Sequence, residues 1–171
     1  MLIKLDHFKI PNFKNVDKVF RDAAFDPMRA YSMPYMWGTI GIGYRKSKVS
    51  TVPDSWSTLF ESSEYSGRIA VLNSPSETIP VAMKYLGYSL NTADPAAVKA
   101  VEDLMIKQKQ HIKVFAEDNG QDLLLSGEVD LTMEYNGDII QVQEEDDDIA
   151  YIVPKEGTLL WEDCLCIPKG A

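Results

Sequence analysis

Strand-like and helix-like segments alternate along this sequence, and that order limits the folds open to the chain. Runs rich in β-branched and aromatic residues, such as 31–44 and 68–73, are followed by amphipathic runs such as 74–89 and 94–110. Strands repeat their apolar positions every two residues, whereas helices repeat them about every 3.6 residues. Alternation of the two periods is typical of an α/β layer structure and disfavours a β-sandwich or a helix bundle.

The same patterns predict the individual elements. Further strands are predicted at 112–116, 129–135, 149–154 and 159–168, and further helices at 119–128 and 136–145. The last two strands are expected to form a hairpin through a turn at Gly157. Ser74 is expected to cap the helix that follows it, with Glu77 completing a capping box, and Asn136 is expected to cap the last helix.

Length and charge restrict the class of protein. With 171 residues, 45% of them hydrophobic, the chain predicts one compact domain. Its formal net charge of -9 repels a phosphate backbone and favours cationic ligands, so nucleic acid is not an expected partner. No apolar run reaches the length of a membrane span, and no signal peptide is recognisable at the start.

The residues that most often bind metals do not form a metal site in the sequence. Cys164 and Cys166 are separated by one residue and lack a nearby histidine, so free thiols buried in a core strand are expected rather than zinc ligands. The acidic run 144–148 is expected to be a solvated loop. We therefore expect neither a metal nor a cofactor.

Alternation along the last strand separates its two carboxylates. Trp161 and Asp163 should share one face, and Glu162 and Cys164 the other, because side chains two apart in a strand point the same way. The two acids therefore cannot act as a catalytic pair. An indole beside one carboxylate suits an ammonium group, since the ring contributes about 0.5 to 2 kcal/mol and the charged hydrogen bond about 1.5 to 3 kcal/mol.

Two further acids follow strands at the edge where α/β proteins bind ligands. Glu77 comes after strand 68–73, and Asp138 follows Tyr135 at the end of strand 129–135. Each acid has a structural alternative, because Glu77 fits a capping box and Asp138 fits the first turn of a helix. The sequence alone leaves both alternatives open.

Four segments of the sequence resemble successive parts of the periplasmic spermidine/putrescine-binding proteins, the substrate receptors of polyamine ABC transporters. They are 31–44, 74–95, 126–138 and 153–171, with L-G-Y-S-x-N-T-x-D-P at 86–95 as the most particular motif. The resemblance follows the whole chain in order. It implies a solute-binding component of an ABC transporter rather than an enzyme.

The resemblance also implies a fold and a domain organisation. Those receptors have two lobes of the periplasmic binding protein type II fold, and this chain resembles the second lobe alone. We expect one domain at 1–171, an isolated lobe with a mixed, mostly parallel sheet flanked by helices. Within it, 1–30 would be a crossover or entry segment and 31–171 the lobe core. The full-length protein would be periplasmic or otherwise extracytoplasmic.

Position by position, the resemblance assigns ligand contacts to Glu77, Tyr135, Asp138, Trp161 and Asp163. Tyr135 stands where the family usually has tryptophan, and Ser74 stands where spermidine-preferring members have an acid. The change at Ser74 favours a putrescine-like ligand. The weaker π face of Tyr135 reduces the expected contact with a cation.

The expected partners are a polyamine, the permease subunits of the transporter and the first lobe of the receptor. A homodimer or an exchange of segments between chains is also expected for an isolated lobe that exposes apolar surface. Two alternatives from other classes remain. They are a hydrolase built on Glu77, Asp138 and Asp163 with Mg²⁺, and an interaction module that docks a transporter membrane subunit.

Overall fold

The computed structural model describes residues Met1–Ala171 and contains two compact units. The larger unit comprises Thr39–Leu160, and the smaller one comprises Met1–Gly38 with Trp161–Ala171. This division differs from the predicted entry segment at 1–30 and lobe core at 31–171, because the final strand belongs with the N-terminal residues. That the chain forms a single domain stays a prediction. None of the helices has the length and apolar character that crossing a membrane requires.

The sheet follows the predicted α/β pattern. Its strands are β1 (Ser32–Arg45), β2 (Ile69–Leu72), β3 (Ile112–Ala116), β4 (Leu131–Tyr135) and β5 (Ile149–Ile152), in the order β3-β2-β4-β1-β5. Strand β2 is parallel to β3 and β4, whereas β1 is antiparallel to β4 and β5. Four strands therefore run in one direction and β1 in the other, which confirms the mixed, mostly parallel sheet.

Five α-helices accompany these strands: α1 (Ser57–Phe60), α2 (Pro75–Tyr85), α3 (Pro95–Gln108), α4 (Gly120–Leu125) and α5 (Asn136–Gln143). Helices α2, α4 and α5 each begin within four residues of the end of a parallel strand, which brings their first turns to the carboxyl edge of the sheet. The central strands β2 and β4 are almost completely buried, and only β2, with the sequence IAVL, has the continuous aliphatic run typical of a strand covered on both faces.

Two predicted helix caps are wrong in detail. Ser74 does occupy the N-cap position of α2, but its side chain accepts no hydrogen bond from the helix backbone, so the capping box with Glu77 does not form. The N-cap of α5 is Tyr135 rather than Asn136. The Oδ1 atom of Asn136 instead accepts the backbone N–H of Thr39 at 2.9 Å, and this bond to β1 replaces the expected cap.

The smaller unit contains short 3₁₀ turns, the first half of β1 and all but the first residue of strand β6 (Leu160–Cys166), which pairs with β1. The predicted hairpin between the last two strands is wrong, since β5 and β6 each pair with β1. The expectation of buried thiols is also wrong, because Cys164 is half-buried and Cys166 is exposed. Both cysteines are free, as predicted.

Candidate acidic binding face at the carboxyl edge of the sheet

Three carboxylates meet where β3 and β4 end. One carboxylate oxygen from each of Asp118, Glu134 and Asp138 lies within 4.8 Å of the other two, and we refer to these three residues as the acidic cluster. Asp118 is exposed in the loop after β3, Glu134 is buried near the end of β4, and Asp138 is half-buried in the first turn of α5. Parallel strands place their carboxyl ends together, which explains the convergence of residues distant in sequence.

Glu134 is the buried member of the cluster, with none of its surface exposed. Its Oε1 accepts the backbone N–H of Tyr135 and its Oε2 accepts that of Gly120, both at 3.0 Å. Burial raises the pKa of Glu134 to about 7, and the negative charges of Asp138 and Asp118 add to the rise. The two backbone N–H groups oppose that rise but do not cancel it, so the carboxyl group titrates near neutral pH.

Tyr135 lies at the centre of this negative environment. Burial raises the pKa of its hydroxyl to about 12, and the next contributions come from Glu77, Asp118, Glu134 and Asp138. Every charged group in that set is an acid. The ring therefore lies among carboxylates with its hydroxyl protonated at neutral pH, an arrangement that favours a positively charged ligand.

Asp138 behaves differently from an ordinary helix-capping acid. An acid in the first turn of a helix is normally stabilised as the anion by the helix dipole. The pKa of Asp138 is nevertheless raised, first by burial and then by the charge of Asp118. Repulsion and desolvation therefore exceed the stabilisation from the helix end, so a cation placed here would relieve an existing strain between like charges.

Glu77 and Ser74 lie at the start of α2, on the same edge. The Oγ atoms of Ser74 and Ser76 are 3.0 Å apart, and Ser76 donates to Oε2 of Glu77 at 2.8 Å. Glu77 is half-buried; its backbone N–H donates to the carbonyl of Ser74, but its carboxylate accepts from Ser76 and not from the backbone of the N-cap residue. Of the two alternatives for this acid, the capping box is therefore excluded.

The remaining predicted contacts lie on β6, in the smaller unit. Glu162 and Cys164 both contact the guanidinium group of Arg29, which confirms that these two side chains share a face. Trp161 is half-buried and Asp163 is exposed. The structure thus brings Glu77, Tyr135 and Asp138 together in the larger unit, and places Trp161 with Asp163 in the smaller one.

Sequence reasoning missed two members of the acidic cluster. Asp118 lies in the turn after β3, where an exposed acid resembles an ordinary loop residue. Glu134 was overlooked because a strand acid beside apolar neighbours resembles an ordinary solvent-facing residue. The sequence did contain one signal for Glu134. This acid directly precedes Tyr135 at the end of a strand, and by alternation the two side chains face opposite sides of that strand.

The negative charge of the acidic cluster favours a cation, whether an ammonium group or a metal ion. Exposed acids often gather without binding an ion. The expected absence of a metal and of a cofactor stays a prediction.

The whole chain, residues 1–171, matches the family described as bacterial extracellular solute-binding protein. The chain belongs to this family. The family resemblance and the type II binding-protein fold expected from the sequence are thereby confirmed, and a family of solute-binding proteins agrees with the expectation that the chain is not an enzyme.

Individual relatives agree with the family assignment. The chain is 34% identical over 186 residues to the putrescine-binding periplasmic protein SpuD of Pseudomonas aeruginosa, covering 98% of this chain and 51% of the relative. It is 34% identical over 172 residues to the spermidine/putrescine-binding periplasmic protein of Escherichia coli, covering 100% of this chain and 49% of the relative.

A solved structure gives the same result. The spermidine/putrescine ABC transporter substrate-binding protein PotD of Streptococcus pneumoniae superposes with a TM-score of 0.87 at 31% identity, covering 99% of this chain and 52% of that chain. The present chain therefore spans about half the length of the relatives it matches. This coverage agrees with the prediction of a single lobe.

Proposed function

We propose that the chain is one lobe of an extracytoplasmic solute-binding protein that binds a di- or polyamine for an ABC transporter. The observation that carries this proposal is the acidic cluster beside Tyr135, in which each charged neighbour of the ring is an acid. The printed names of the relatives, which refer to putrescine and spermidine, support the same ligand class. Those names also support a periplasmic location for the full-length protein.

In this proposal the larger unit holds one ammonium group of the ligand. Asp138 and Glu77 supply the negative charge, and Tyr135 supplies an aromatic wall for the adjacent methylene groups. Ser74 offers a hydroxyl where an acid would favour a longer amine, which supports a preference for a diamine such as putrescine. A primary alkylamine has a pKa near that of lysine, about 10.4, and is therefore charged at neutral pH.

Trp161 and Asp163 are proposed independently as a second ammonium-binding pair. Asp163 is exposed and Trp161 is half-buried, so the carboxylate is available to a ligand while the indole is partly held by the protein. A charged hydrogen bond to Asp163 together with the indole face gives an amine both a charge partner and a π surface.

The full-length protein would also need its other partners. The first lobe of the receptor would supply further ligand contacts, and the permease subunits would receive the ligand. If the full receptor binds near micromolar, about -8 kcal/mol, a lobe that retains half of those contacts would bind at roughly millimolar concentration. Homodimerisation or segment exchange of the lobe stays a prediction that analytical ultracentrifugation at several concentrations tests.

Calorimetry of the chain with putrescine and spermidine tests the proposal. Weak, saturable binding is expected for both amines, and none for 1,4-butanediol, which has the same carbon chain as putrescine without its charges. Asp138→Asn and Asp163→Asn should each weaken putrescine binding, whereas Asp147→Asn in the exposed loop after α5 should not. Equal binding of butanediol and putrescine would contradict recognition by charge.

A further inference from the structure

Glu134 connects three parts of the acidic binding face through its two carboxyl oxygens. One oxygen bonds to the N–H of Tyr135 at the end of β4, and the other to the N–H of Gly120 at the start of α4. In addition, one carboxylate oxygen from each of Asp118 and Asp138 lies within 4.8 Å of an oxygen of Glu134. A fully buried carboxyl group thus lies behind the more accessible acids of the face.

The backbone around Gly120 fits closely against this carboxyl group. A Cβ atom at residue 120 would collide with Oε2 of Glu134 and with Oγ1 of Thr132. Glycine therefore allows the N–H group of residue 120 to reach the carboxyl oxygen directly. The contact fixes the start of α4, two residues after Asp118, relative to the strand that carries Tyr135.

From this geometry we propose that Glu134 is a positioning residue whose charge state is coupled to ligand binding. It holds Tyr135 and the Asp118 loop in place, and it releases a proton to solvent when an ammonium group binds beside Asp138. The inference rests on the proposed amine-binding function. It adds a proton-linked step and assigns it to a residue that does not itself contact the ligand.

The charges that face Glu134 determine the direction of the coupling. Asp138 on α5 and Asp118 after β3 both disfavour the anionic form of Glu134. The charge of Asp122 on α4 likewise raises the pKa of Asp138. Glu77 on α2 acts on Tyr135, which is bonded to Glu134 through its backbone. A bound ammonium group offsets these negative charges, so the carboxyl group loses its proton more readily in the complex.

A proton released on binding makes affinity depend on pH. By linkage, the affinity for the amine rises with pH while the free chain still carries the proton, and levels off once Glu134 is ionised. Between pH 6 and 8 we expect the affinity for putrescine to rise about three- to tenfold. This range corresponds to the release of a fraction of one proton, up to one full proton, per amine bound. The amine itself stays charged across this range.

Calorimetry in two buffers tests the coupling. Putrescine is titrated into the wild-type chain at pH 6, 7 and 8, in phosphate and in MOPS, whose ionisation enthalpies differ. The expected result is a buffer-dependent binding enthalpy at pH 6 to 7 that corresponds to proton release. Glu134→Gln should bind putrescine with a smaller buffer dependence and a flatter pH profile, and Glu145→Gln, an exposed acid on the surface, should behave as wild type.

The outcomes separate this inference from the proposed function. Binding by the wild type with the same enthalpy in both buffers, or an unchanged pH profile in Glu134→Gln, would overturn the coupling and leave amine binding standing. Absence of putrescine binding by the folded wild-type chain at every pH would overturn both. The buffer comparison needs no variant, so a folding defect in Glu134→Gln would not prevent the test.

Discussion

The guanidinium group of Arg29 is completely buried, and its Nη2 atom lies 2.6 Å from Oε1 of Glu162. Its Nε also donates to the backbone carbonyl of Phe20 at 2.7 Å, and Nη1 lies 3.6 Å from the sulfur of Cys164. Glu162 is itself largely buried, with 11% of its side chain exposed. This buried ion pair therefore links an N-terminal turn to strand β6.

Loss of Glu162 should strongly destabilise this part of the protein. Removing one partner of a buried ion pair leaves an uncompensated charge and costs about 3 to 5 kcal/mol. We expect Glu162→Ala to lower the free energy of unfolding by that amount in urea denaturation. Lys9→Ala removes the exposed partner of Asp6, 3.9 Å away, and should change stability by less than about 0.5 kcal/mol. Similar effects of the two changes would contradict the importance of burial.

The order of strands and helices could be predicted because the apolar period changes from one segment to the next. The pairing of β6 could not, since hairpin signals at Gly157 are local whereas β1 is long enough to pair with both β5 and β6. Glu77, Tyr135 and Asp138 were found from their places after strands. Glu134 was missed because its role depends on a backbone N–H group at Gly120, which is fourteen residues away and invisible to sequence patterns.

Ionisation of Glu134 should reduce stability as pH rises. Its pKa in the folded chain is about 7, above the ordinary value of 4.5. Between pH 4.5 and pH 7 the folded chain therefore holds a proton that the unfolded chain has lost. The contribution is fully present below pH 4.5 and is lost as pH rises through 7, with a total of up to about 3 kcal/mol.

Urea denaturation of the wild type and Glu134→Gln from pH 4 to 8 measures this contribution. As pH rises, the free energy of unfolding of the wild type should fall relative to that of the variant. Groups that titrate in both proteins cancel in that difference. A constant difference across the range would show that Glu134 keeps the same protonation in the folded and unfolded chains.

Two glycines near the acidic face should respond oppositely to alanine. A Cβ at Gly120 would collide with Glu134 and Thr132, so Gly120→Ala should destabilise the chain by about 1 to 3 kcal/mol. A Cβ at Gly137, in the first turn of α5, would meet no atom within 4 Å. Gly137→Ala should therefore be neutral or stabilising by up to about 1 kcal/mol, since alanine favours helices. Thermal unfolding of both variants measures the contrast, and equal losses would contradict the close packing at Gly120.

The two cysteines should differ in reactivity although only one residue separates them. Burial and the neighbouring Glu162 raise the pKa of the Cys164 thiol, and Cys166 is exposed. Because the thiolate is the reactive form, iodoacetamide should modify Cys166 faster than Cys164 at pH 8. Mass spectrometry of the single-cysteine variants Cys164→Ser and Cys166→Ser measures each rate. Equal rates in the folded proteins would mean that neither burial nor Glu162 protects Cys164, whereas equal rates only in urea would assign the protection to the folded contact.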